Sequence, residues 1–110
     1  MSEGKSALVR GTLDMLILKT LTLQSMHGLG ISNRIEQITD GVFKVKPGSL
    51  FPSLKRMEQE GWIDGEWRES ENRRRAKYYD LTKAGRRRLG EEKQNWGQAV
   101  LAITKVLETN

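Results

Sequence analysis

Cysteine is absent from these 110 residues, which excludes disulfides and thiolate metal sites. Histidine occurs once, as His27, so a histidine metal cluster is excluded as well. No run approaches the roughly 18 consecutive apolar residues that a membrane-spanning helix needs. The first residues, MSEGKSALVRG, hold no apolar stretch followed by a cleavage site, so a cytoplasmic protein is expected. Proline occurs only as Pro47 and Pro52 and leaves most of the chain free to form helix. No nucleophile–base pair or phosphate-cradling glycine loop is visible, so neither an enzyme nor a cofactor is expected. At this length the chain can build one hydrophobic core.

What the chain does have is a local excess of positive charge. The net charge is +5, yet residues 73–88 alone carry +7 and the other 94 residues sum to −2. Arg73, Arg74, Arg75, Lys77, Lys83, Arg86, Arg87 and Arg88 build this segment, with Asp80 its single acid. A charge run is often no more than a solvated face. Concentrated in this way, it suits a polyanionic partner, in the first place double-stranded DNA.

Apolar spacing organises the rest. Residues 1–11 are expected to be a flexible tail, and Thr12 the N-cap of a first helix carrying Leu13, Leu16, Ile17, Thr20 and Leu21. Met15 and Leu18 lie off that stripe, so this helix is apolar on more than one face and calls for cover from a dimer partner. Met26-His27-Gly28 is expected to end it, with Gly28 in a left-handed conformation. Gly30 and Ser32 open a second helix, bearing Ile31, Ile35 and Ile38, that stops at Asp40-Gly41.

A third helix is expected from Ser49 to Glu60, with Ser49 as its cap, Pro52 in its first turn and Gly61 at C′. Leu50, Leu54 and Met57 form its buried stripe, and Ser49, Pro52, Lys55, Arg56 and Gln59 project the other way. Trp62–Glu69 and Arg75–Leu81 read as strands around a turn of residues 70–74. Their aromatics, Trp62, Trp67, Tyr78 and Tyr79, are expected to cover the core. Thr82 caps a last helix, in which Leu89, Trp96 and Ile103 recur every seven residues beside Val100 and Leu107.

This order predicts an α+β, mostly helical fold. It is a winged helix-turn-helix of three helices and a two-stranded wing over residues 12–81, followed by a dimerisation helix over residues 82–110. Ser49, Ser53, Lys55, Arg56 and Gln59 offer base-edge donors and acceptors, and Pro52 an apolar contact. Arg73, Arg74, Arg75 and Lys77 fall at the wing, where guanidinium groups suit phosphate. Leu13, Leu16, Ile17, Leu89, Trp96, Val100, Ile103 and Leu107 are the expected dimer interface. Two Trp96 rings, one per subunit, can line a cleft for a small aromatic ligand. A winged-helix module for protein interaction or for sequence-independent nucleic-acid binding is the alternative.

Several segments resemble, in order and spacing, the PadR family of bacterial transcription regulators. They are Leu13 to Leu21 with His27-Gly28-Leu29-Gly30-Ile31, Pro47-Gly48-Ser49-Leu50-Phe51-Pro52-Ser53-Leu54, Glu58-Gln59-Glu60-Gly61-Trp62-Ile63, and the run from Arg74 to Gly85. The resemblance implies a homodimer in which the third helix, Phe51 included, enters the major groove and the wing touches the backbone. It also implies a repressor, often relieved by a small phenolic or drug-like effector. The family usually has Tyr where this chain has Phe51, so a contact from that hydroxyl is lost. A single helix after the wing places the chain among the short members.

Overall fold

The computed structural model describes the backbone of residues 2–69 and 71–110, and side chains from Thr12 onward apart from Ser70. The elements run α1 (Ser2–Leu21), β1 (Met26–His27), α2 (Gly28–Ile38), α3 (Pro47–Gln59), β2 (Ile63–Glu69), β3 (Arg75–Leu81) and α4 (Lys83–Leu107). Four helices and a small antiparallel sheet make the mostly helical α+β fold.

Helix α1 lies at the centre and packs against α2, α3, α4 and β3. Leu13, Ile17, Leu18 and Leu21 are all buried there, together with Ile31, Ile35, Leu50, Leu54, Met57 and Ile63. This corrects the interface assigned to Leu13 and Ile17. A helix surrounded by its own chain has to be apolar on several faces, and no second subunit is needed to cover them. Leu89 likewise belongs to the chain's own core, whereas Leu16 is only partly buried. The tail expected before Thr12 is also corrected. Helix begins at Ser2, Thr12 lies inside it, and Met1 falls outside the described residues. Gly4 and Gly11 each cost about 1 kcal/mol of helix propensity, but without proline each added residue still gains a backbone bond.

The junction of the first two helices departs from expectation as well. Gly28 opens α2 instead of closing α1, and Met26–His27 pairs with Tyr79 and Tyr78 of β3. The sheet therefore has three strands, in the order β1-β3-β2, and the two-stranded wing is its outer part. His27 caps α2, its Nδ1 accepting from the Gly30 N–H at 3.0 Å.

Helix α3 starts two residues earlier than expected. Pro47 stands at its beginning and Pro52 inside it, and Lys46 at the N-cap makes no side-chain cap bond. Its C-terminus follows the expected chemistry. Gly61 has φ +79°, its N–H donates to the Glu58 carbonyl, and the Trp62 N–H donates to that of Met57. Thr82 caps α4, its hydroxyl accepting from the Gly85 N–H at 3.0 Å.

Candidate nucleic-acid interface

The buried stripe of α3 is Leu50, Ser53, Leu54 and Met57. At 100° per residue, the opposite side presents Gly48, Pro52, Lys55 and Gln59, and all four are exposed. Ser49 is exposed near the start of the helix. Ser53 is buried, at 7% exposure, which removes it from the expected reading residues. It falls one position before Leu54, on the edge of the stripe that enters the core.

Arg56 projects from the flank of α3 toward α1. One of its guanidinium nitrogens lies 2.7 Å from both carboxylate oxygens of Asp14. Arg56 is therefore an inter-helix tie, and its charge is directed away from the outward face. On the other flank, Glu58 accepts from Lys77 of β3 at 2.8 Å. Lys77 had been expected to extend the row of free wing cations, and its ammonium is occupied by Glu58 instead.

Cross-strand register explains the sheet's faces. Gly65 pairs with Tyr79, Trp67 with Lys77 and Glu69 with Arg75, so these side chains share one side. Tyr79 is buried under α3, whereas Trp67, four residues beyond the buried Ile63, is 58% exposed. At about 3.3 Å per residue, the strand has run roughly 13 Å past Ile63 and outgrown its helical cover. Trp67 is thus a surface residue, contrary to its expected role in covering the core. The Arg75 guanidinium lies 5.7 Å from the centre of its ring.

Three elements meet along one groove. The N-terminus of α2 contributes Gly28 and Leu29, α3 contributes Phe51, and the wing contributes Trp67, Arg74, Arg75 and Ala76. The groove holds about 530 Å³. Phe51 is half exposed and leans toward α2, where a Cβ on Gly28 would collide with its ring. Arg73 occupies the turn with φ +60°. Leu29 and Trp67 are the large apolar side chains of the groove that the sequence reading missed. Trp67 was expected to cover the core and is left outside where the helical cover ends; Leu29, at the start of α2, was given no role and is 61% exposed.

Among the described residues, three side chains have displaced proton affinities. Lys77 is raised above its ordinary 10.5, first by its bond to Glu58. Tyr79 is raised by burial, and Arg68 by its bond to Glu66. No cluster of His, Asp or Glu able to hold a metal occurs among the described residues. Nor is any described helix long and apolar enough to cross a membrane.

Residues 17–91 match the family model described as the Transcriptional regulator PadR-like family, which is more than half of the chain. The chain belongs to this family. Solved transcriptional regulators share the architecture over most of their length. A transcriptional regulator from Clostridium thermocellum is 27% identical, over 90% of this chain and 96% of that one, with a TM-score of 0.83. A PadR family regulator from Eggerthella lenta is 30% identical, over 99% and 93%, also at 0.83. A PadR-like regulator from Bacillus cereus is 28% identical, over 94% and 99%, at 0.78. PadR-like regulators act on transcription through DNA and are not enzymes.

Proposed function

We propose that this PadR-like chain is a repressor that binds a palindromic operator as a homodimer. Helix α3 enters the major groove with Pro52, Lys55 and Gln59, while Arg74 and Arg75 hold the backbone beside it. The observation that carries this reading is the shared opening of α3, the α2 N-terminus and the wing onto one groove edged by arginine. Phosphate contacts supply much of the affinity and base edges the specificity. The uncovered stripe Trp96, Val100, Ile103 and Leu107 on α4 supports the dimer. Beside Trp96, a recess bounded by Met15, Glu92 and Ala99 favours a small aromatic effector.

The test is binding to the protein's own promoter region at two salt concentrations, with unrelated duplex as competitor. A footprint that survives competitor, with half-sites about 34 Å apart, is the expected result. Equal displacement by any duplex or by RNA would favour a sequence-independent module instead.

A further inference from the structure

One ion pair at the edge of the groove joins the wing to α3. Lys77 stands on β3 and Glu58 on α3, and they meet at 2.8 Å with about a third of each side chain exposed. To reach Glu58, the lysine stem passes over the ring of Tyr79, its Nζ 5.7 Å from the ring centre. The passage exists because residue 65 on the neighbouring strand has no side chain. A Cβ there would overlap Lys77 Cε and press on Glu58 Oε2 and the Tyr79 ring. Gly65 has no left-handed φ that would require glycine, so its contribution is the space it leaves.

We infer that Gly65, Lys77 and Glu58 form a strap that fixes the wing at a set angle to α3, and that Lys77 is a positioning residue and not a phosphate contact. The wing hairpin is joined to α3 in sequence only at its β2 end, through Gly61 and Trp62. Lys77 is the third residue of β3, two residues from Arg75. Pinned there, the wing holds Arg74 and Arg75 at one distance from Lys55 and Gln59. A protein that must touch bases and backbone together needs that distance fixed, whereas backbone contact alone tolerates a loose wing.

The DNA part of the test rests on the proposed operator reading, and the free-protein part does not. Glu58→Gln, Lys77→Gln and Gly65→Ala are compared by operator affinity, random-duplex affinity and the heteronuclear NOE of wing-turn amides in DNA-free protein. Gly65→Ala keeps both charges and displaces only the lysine stem. Each variant is expected to weaken operator binding about two- to fivefold, the range of a partly exposed pair. Random-duplex affinity stays within that of the parent, and wing-turn NOE values fall. Glu58→Gln/Lys77→Gln costs no more than either single change, because both remove one interaction.

The competing account predicts the opposite sign. If Glu58 merely holds a phosphate-binding lysine in reserve, Glu58→Gln tightens binding and steepens the salt dependence by about one ion, and the strap is overturned. Unchanged NOE values in all three variants overturn it as well. A parent protein with no operator preference would sink the proposed function, and the NOE values would still decide the strap.

Discussion

A single methyl group does most damage at Gly85. A Cβ there would run into the Trp62 carbonyl oxygen and into Leu81. That carbonyl is backbone and also accepts the Thr82 N–H at 3.1 Å, so it cannot turn aside. Gly85→Ala is expected to lose roughly 1–3 kcal/mol, read as a lower midpoint of thermal unfolding. Proton affinity is the second matter decided residue by residue. Lys77 and Tyr79 are both raised, the first by Glu58 and the second by burial. A raised folded-state value means that the folded protein holds its proton more tightly than the unfolded chain does. The stability this gives is complete below the unfolded values, near 10 and 10.5, and is lost as pH rises through the folded ones. Unfolding midpoints should therefore fall above pH ~10, and Tyr79→Phe with Lys77→Gln should flatten that fall. An equal slope in the double variant would place the alkaline sensitivity elsewhere.

Among the elements, the junction of β3 and α4 depends on one hydroxyl. Thr82 Oγ1 accepts from the Gly85 N–H at 3.0 Å and donates to the Gly61 carbonyl at 2.7 Å. It thus caps α4 and ties it to the end of α3. Thr82→Ala should cost about 1–2 kcal/mol in urea unfolding, and Thr82→Ser should restore most of it. Elements held by such local chemistry were legible in the sequence. The Thr82 cap, the Gly61 terminus, both wing strands and the outward set Pro52, Lys55 and Gln59 depend on residues close together in the chain. What was not legible depends on distant partners. Two residues at Met26–His27 become a strand only because β3 offers an edge. Glycine suits either end of a helix, so Gly28 could be placed only after β1 had formed. Arg56 and Lys77 look like free cations until folding brings Asp14, 42 residues away, and Glu58, 19 residues away, against them. Apolar spacing marked Leu13 and Ile17 as buried without saying what buries them.

The whole molecule is longer than its mass requires. Its radius of gyration is 15.4 Å and its long axis 59 Å, where a compact chain of this size has a radius near 13 Å. Helix α4 contributes to the excess, since every side chain from Lys93 to its end at Leu107 is exposed. One stripe runs through that exposure. It begins in the core at Leu89, 7% exposed, and continues through Trp96 at 42%, Ile103 at 53% and Leu107 at 77%. An apolar row that starts inside its own protomer and runs out of cover is suited to the same row on a second copy, through the heptad spacing of its residues. Ile103→Glu should then halve the mass in sedimentation, leaving a 12.6 kDa species. Helical circular dichroism should be kept, because Leu13, Ile17 and Leu89 are buried within each protomer. Operator affinity should fall more than random-duplex affinity, since two linked half-sites gain from effective concentration and one does not. An unchanged mass would remove this stripe from the interface and with it the proposed placing of an effector between two Trp96 rings.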